Sequence, residues 1–268
     1  MQIYTTNHAP SVLQTHSWRT AQNSAPHLLP HLKPDQHQKI LDVGCGPGSI
    51  TVDIASLIAP TGHVTGIEYV SDPLPQARDL ATSRGVTNVD FRVGDIHALP
   101  FDDESFDIVH VHQVLQHVSD PVSALCELRR VVKTGGIVSV RESASMTWHP
   151  PNTGITSWLD LTTRMAKARG GNPTPGRYIH VWAKEAGFAL ENVKRGAGAW
   201  CFSSSEEREY WGGSMARRME SSGFAEGAVR DGFARQEELE GIARGWGEWV
   251  ADEEGWFGLL HGEILCWK

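Results

Sequence analysis

Between Ile40 and Ile50 the chain reads ILDVGCGPGSI, with Gly44, Gly46 and Gly48 at alternate positions behind a short apolar run. Glycines at the junction of a strand and a helix let the backbone turn sharply and let a ligand come close to it. Two ligand classes compete for such a loop in an open α/β sheet. A dinucleotide asks for G-x-G-x-x-G, with its pyrophosphate on the helix N-terminus. Its third glycine would fall where this chain has Ser49. The tighter G-x-G-x-G spacing, preceded by the acidic Asp42, points to a different guest.

Thirteen histidines invite a metal, and His110 and His112 alternate so that a strand would put them on one face. No third ligand is in view, so no metal is expected. The four cysteines, Cys45, Cys126, Cys201 and Cys266, are scattered and form no C-x-x-C pair. That usage fits a reduced, cytoplasmic protein, with Cys45 a small residue that suits the glycine loop.

The elements that must position these groups alternate. KILDVG reads as a strand and SITVDIASLIAP as a helix stopped by Pro60 and Gly62. HVTGIEYV is a second strand, DPLPQARDLATSRG a helix, VDFRVGD a third strand and FDIVHVH a fourth. DPVSALCELRRVVKTGG puts Val122, Leu125, Leu128 and Val132 on one helical face, with Gly135 and Gly136 as its stop. IVSVRESA is a fifth strand and ALENVKRGAGAWCF carries a sixth. Such alternation means right-handed crossovers and a parallel sheet. Beyond Ala144 the chain turns rich in Pro, Gly and Trp. SSSEEREYWGG opens with a capping box, and Leu239, Ile242, Ala243, Trp246 and Val250 form one helical stripe. We expect an N-terminal helical lead-in or lid over 1–38, an α/β core over 39–202 and 256–268, and an inserted substrate cap over 145–175 and 203–255.

The 268 residues, 40% of them hydrophobic, suffice for one full-sized core. A net charge of −8 argues against nucleic acid as a partner. No apolar run approaches the ~20 residues of a membrane span, and the N-terminus lacks the basic-then-apolar order of a secretory signal.

The glycine loop resembles motif I of the class I S-adenosylmethionine-dependent methyltransferases. FDIVHVHQVLQHVSDPVSALCELRRVVKTGG resembles, almost position by position, the strand-loop-helix block of the type-11 and ubiquinone/menaquinone-biosynthesis group, with Thr134 where that block has proline. The GEILCWK ending fits that family's last, antiparallel strand. The resemblance implies a Rossmann-like open sheet of seven mostly parallel strands, with helices on both faces and a helical cap. It implies S-adenosylmethionine as the cofactor, held around Asp42, Gly44, Cys45 and Gly46. Glu68, with Tyr69 beside it, would accept the ribose hydroxyls, as in dinucleotide enzymes. Asp95 would accept from the adenine amino group, with Gly94 next to it and Ile96 on the ring; a turn-forming aspartate is the plain alternative. His112, Gln113 and His117 would flank the cofactor at the end of the fourth strand. Arg19 would either clamp the methionine carboxylate or stand as an exposed helix arginine, and Tyr4 would close over the cofactor as a lid.

Methyl transfer is an in-line displacement at an activated sulfonium, so the protein aligns the acceptor, excludes water and removes any proton. His117 and His112 are the candidate bases, with His149, His180 and Glu142 nearer the cap. Nine of ten tryptophans fall from Trp148 onward. Trp246 reads as packing, while Trp148, Trp158 and Trp200 are candidates for an aromatic-lined acceptor pocket, with cation–π contact if an amine is methylated. The expected function is methyl transfer to a small-molecule acceptor, a secondary metabolite or lipid-like quinone. The alternative is a methyltransferase fold with non-methylating, cyclase-type or regulatory work. The glycine spacing disfavours a nicotinamide oxidoreductase.

Overall fold

The computed structural model describes residues 18–268. One sheet contains β1 (Lys39–Val43), β2 (His63–Glu68), β3 (Val89–Val93), β4 (Phe106–His112), β5 (Val132–His149), β6 (Val193–Phe202) and β7 (Trp256–Trp267). Their spatial order is β3-β2-β1-β4-β5-β7-β6. Strands β1 to β5 run parallel, and β7 lies antiparallel between β5 and β6. In β1, Ile40, Leu41 and Val43 are all buried, as a central strand covered on both faces requires. Strand order reverses between β1 and β4, so a crevice opens beyond their carboxyl ends.

Helices cover both faces. Ahead of β1 lies α1 (Ala21–Ser24), capped by Thr20, followed by a 3-10 turn at Leu29–His31. Among the described residues of the lead-in the helical stretches are these two, short as the breaks at Pro26, Pro30 and Pro34 lead one to expect. Next come α2 (Ser49–Leu57), α3 (Leu74–Ser83) and α4 (Pro121–Val131), the last capped by Asp120. Ala25, Leu28, Ile54 and Ile58 pack on one face of the sheet. Leu125 and Leu128 of α4 pack on the other, together with Ile179 and Ala183 of α6, below.

The remaining helices gather at one end: α5 (Thr153–Ala168), α6 (Ile179–Glu185), α7 (Ser205–Arg208), a π-helical turn at Glu209–Gly213, α8 (Ser214–Glu220), α9 (Gly223–Arg230) and α10 (Gln236–Ala251). All except α6 and α7 share an aromatic core with Trp200, Phe202, Phe257 and Leu259 from the long ends of β6 and β7. The Ser204–Glu207 capping box forms as its spacing predicts. In α10 the stripe also takes in Trp249, which is 1% exposed, with Val250 partly buried against the same cluster. None of the helices among the described residues is long and apolar enough to cross a membrane.

Two boundaries differ from expectation. Strand β5 runs on to His149 because β7 supplies partners across a bulge at Ser143/Ser145, pairing Met146 with Leu259 and Trp148 with Phe257. That support comes from residues far along the chain, which local composition cannot register. Helix α4 stops at Val131, and Val132 turns extended to open β5 opposite Phe106. Gly135 and Gly136 therefore sit within the strand. A Cβ at Gly136 would stand 2.7 Å from the Asp107 carbonyl oxygen.

Candidate active site

The β1–α2 loop is tied to its neighbour strand. Gly44 and Cys45 both donate backbone N–H to the Ile67 carbonyl, at 2.7 and 3.0 Å. Gly44, Gly46 and Gly48 take φ of 76°, 53° and 81°, a region costly for any residue with a Cβ. Space adds to that at two of them. A Cβ at Gly44 would run into the Val114 side chain, and one at Gly48 would lie 2.7 Å from the Ala77 Cβ. At those two positions the close neighbour is therefore the protein itself. Cys45 is buried, and burial, with Asp42 and Glu68 nearby, holds its thiol well above the usual range. It is a fitted, protonated side chain.

Glu68 is 3% exposed at the end of β2. Its Oε2 accepts from Gly46 N at 2.9 Å and its Oε1 from Tyr69 N at 2.8 Å. The carboxylate is thus held in place at the end of β2, beside the glycine loop. Asp42 lies beneath the loop, accepting from the Thr51 hydroxyl at 2.6 Å. Burial pushes its carboxyl up to about 7, against the Thr51 bond. Ile96 is buried beyond β3, and Asp95 spends Oδ1 on His97, accepting its backbone N–H at 2.9 Å with the ring Nδ1 at 3.1 Å. Asp95 thus shapes the turn beside Gly94.

Beyond β4 the chain carries Gln113 at φ 54°, uncommon for a non-glycine residue and frequent at functional sites. Gln113 Oε1 accepts from Arg19 at 2.9 Å, and its Nε2 meets His261 Nε2 at 2.9 Å. The following 3-10 turn, Leu115–His117, is fixed from below by Glu142. Its Oε1 accepts from Val114 N at 2.7 Å and Leu115 N at 2.6 Å, while Oε2 is buried without a hydrogen-bond partner among the described residues. Burial pushes the Glu142 carboxyl up to about 8. Burial also lowers His117 to about 4, helped by Arg19. His112 is held well below the usual imidazole range, again by burial first. Its ring lies 5.6 Å from Trp200, with neither nitrogen hydrogen-bonded among the described residues.

These groups border a cleft open to solvent, with about 880 Å³ of empty space, lined by the glycine loop, Asp42, Glu68, Tyr69, Gly94 and Ile96 on one side. Arg19, His112, Gln113 and His117 line the other. Of the cofactor-binding candidates, Asp95 is the one described residue set back from the lining, and Tyr4 lies outside the described residues.

A second cleft, of about 1170 Å³, adjoins it and shares Arg19, Gln113, Gln116 and His117. Its walls come from the terminal helices. Trp158 and Met165 stand on one face of α5, and Met215, Arg218 and Met219 follow helical spacing on α8. Trp211 reaches the cleft from the π-helical turn, stacked on Phe202 at 4.6 Å. Trp158 is where the sequence suggests, but Trp148 stacks on Phe257 instead. Trp200 serves the structure, donating Nε1 to the Asn23 carbonyl at 2.7 Å. His149 and His180 line neither cleft, and Glu142 acts as a buried support. Among the lining residues that sequence reasoning missed are Gln116, Trp211, Met215, Arg218 and Met219. The 215/218/219 spacing was the available signal.

His110 and His112 share a face at 6.5 Å, yet His110 is engaged with Ser139. No group of three potential metal ligands occurs among the described residues.

A family model described as a methyltransferase domain matches residues 34–187. An uncharacterized methyltransferase from Schizosaccharomyces pombe is 35% identical, across 100% of this chain and 97% of its own. A demethylmenaquinone methyltransferase from Staphylococcus aureus is 39% identical over 109 residues, 41% of this chain and 44% of its own. Among solved structures, a Haemonchus contortus phosphoethanolamine N-methyltransferase, in complex with phosphomonomethylethanolamine and S-adenosylhomocysteine, superposes with a TM-score of 0.54. It shares 19% identity, and the match covers 91% of this chain and 52% of that one.

Proposed function

The chain belongs to the class I S-adenosylmethionine-dependent methyltransferases, and on that premise we propose that it methylates a small molecule seated in the second cleft. The observation that carries this reading is that Arg19, Gln113, Gln116 and His117 line both clefts. A donor in the first and an acceptor in the second would meet at these four side chains.

The residues present fit the cofactor. Glu68 is a pre-positioned diol acceptor beside a glycine loop, and the buried Ile96 offers an apolar surface for a base. When bound, S-adenosylmethionine supplies a methyl group on a sulfonium already activated for displacement. Glu68 would receive the ribose hydroxyls, Arg19 the methionine carboxylate, and Ile96 the adenine ring. Asp42 and Tyr69 complete the wall, with Asp95 fixing the turn beneath Ile96. Gln113 orients Arg19 through the bond at 2.9 Å. Glu142 keeps the Gln113–His117 segment rigid by accepting its amides.

Of the two histidines, His117 is the better proton acceptor because it lines both clefts, whereas His112 lines the first alone. A neutral imidazole at physiological pH can take the acceptor proton as the new bond to carbon forms. The remaining acceleration would come from alignment of donor and acceptor across the four shared side chains.

The test is release of S-adenosylhomocysteine when cofactor and a panel of apolar acceptors are incubated together, with the methylated product identified by mass. Acceptor-dependent release is the expected result. Tight binding of S-adenosylhomocysteine with no acceptor-dependent turnover would overturn the methyl-transfer assignment of the second cleft.

A further inference from the structure

We infer, resting on the reading above, that the acceptor is a neutral hydroxyl on an apolar ring, held where the two clefts meet by the Gln116 amide. Of the four side chains that line both clefts, Arg19, Gln113 and His117 have roles in that reading, and Gln116 has none. Its surroundings define what it presents. The Gln116 backbone carbonyl accepts from Asn172 N at 3.2 Å, and a Cβ at Gly171 would stand 2.6 Å from that same oxygen. The segment after α5 thus covers the backbone, which leaves the side chain to line the clefts.

The amide has one orientation. Its Nε2 lies 3.1 Å from the Gln113 carbonyl oxygen, which can only accept, so the nitrogen is fixed on that side. Its Oε1 accepts from the Ser143 hydroxyl at 3.3 Å, with the Pro173 carbonyl at 3.5 Å as that hydroxyl's other acceptor. Ser143 is buried at the β5 bulge, where the register against β7 shifts between Ser143 and Ser145. Bulges re-aim side chains beside active sites, and this one aims a hydroxyl at an amide. Among the described residues these bonds engage one hydrogen of Nε2 and one lone pair of Oε1. An uncharged donor and an uncharged acceptor remain.

A hydroxyl is the group that fits. Its oxygen accepts from Nε2 while its hydrogen is left for His117, the proton acceptor of the reading above. An ammonium has no lone pair for that N–H, and a carboxylate sets its charge against the Oε1 lone pair. In transfer, the hydroxyl oxygen forms the new bond to carbon as its proton passes to His117. The sulfonium sulfur keeps the electron pair of the bond that breaks. The ring follows from the walls of the second cleft, where Trp158, Met146, Met165, Met215 and Met219 present flat and adaptable apolar surface.

The experiment uses the full chain saturated with S-adenosylhomocysteine and two probes on one ring, 2-naphthol and 2-methylnaphthalene. An apolar cleft alone would favour the methyl compound, because a hydroxyl without a partner is costly to take from water. Calorimetry should instead show 2-naphthol binding about five-fold or more tighter. Gln116→Leu, and Gln116→Met with its longer side chain, should reduce that preference several-fold by weakening 2-naphthol and not 2-methylnaphthalene. Ser143 acts through Gln116 as a positioning residue. Ser143→Ala should narrow the preference, and Ser143→Thr, which restores a hydroxyl, should recover it; a merely structural loss would weaken both probes alike. Equal or tighter binding of 2-methylnaphthalene by the parent protein would overturn the inference. So would a preference unchanged in both Gln116 variants, or an equal loss of both probes in them. If neither probe binds while S-adenosylhomocysteine does, the acceptor inference fails and the cofactor assignment stands. If S-adenosylhomocysteine itself does not bind, the underlying reading fails and takes the inference with it.

Discussion

Arg19 donates through Nη2 to the Gln113 side-chain oxygen at 2.9 Å, which ties the segment ahead of β1 to the end of β4, 94 residues later. Gln113 makes that bond from a left-handed backbone, φ 54°. Replacing it tests strain and function separately. Gln113→Ala keeps the strain and loses the tether, whereas Gln113→Gly loses the tether and relieves the strain. In urea unfolding, the glycine variant should exceed the alanine variant by about 1 kcal/mol. Both should raise the KM for S-adenosylmethionine, because Arg19 is left without its Gln113 anchor.

Glu68→Ala should weaken S-adenosylhomocysteine binding by about 1.5–3 kcal/mol if hydrogen bonds to a charged acceptor are lost. It should also loosen the loop, because Gly46 N and Tyr69 N lose their acceptor. Glu68→Gln retains a carbonyl and should fall between the two in calorimetric titration. An unchanged affinity in a folded Glu68→Ala protein would remove this carboxylate from the cofactor site.

Gly48→Ala should destabilise the fold itself. The position has φ 81°, and the added methyl would stand 2.7 Å from the Ala77 Cβ. The backbone alone costs about 1–2 kcal/mol, and the overlap with α3 adds to it. Thermal denaturation without ligand should show the loss, which separates a packing role from a binding one.

Stability should peak near neutral pH. Burial holds His27 and His117 at about 4, His110 at about 3 and His261 at about 2, with His112 also well below the usual value. These depressed groups favour the fold above their ordinary 6.5, and that contribution is lost as pH falls toward the folded values. Asp42, raised to about 7, and Glu142, raised to about 8, act oppositely. Their contribution is full below ordinary carboxylate values and is lost as pH rises through 7 and 8. Five histidines against two carboxyls make the acid side the steeper. Melting temperatures between about pH 5 and pH 9 should rise to near 6.5 and then decline. Glu142→Gln keeps an oxygen for the Val114 and Leu115 amides and should flatten the decline.

Much of this protein was legible in its residues. The glycine spacing, the acid at the end of β2 and the alternation of strand and helix are local signals, each bound to a backbone conformation or a short turn. They identify the fold class and the family and mark the glycine loop, because a φ of 53° at Gly46 is a demand on that residue alone. Tertiary structure decided what lies opposite. The length of β5 depended on β7, and the place of Trp211 in the second cleft depends on a π-helical turn that no periodicity announces. The sharing of four side chains by two clefts depends on where α5 and α8 settle over the sheet. Local propensity encodes the conformation of a residue. It does not encode which distant surface will close over that residue, because that choice is made by the burial of apolar area across the whole chain.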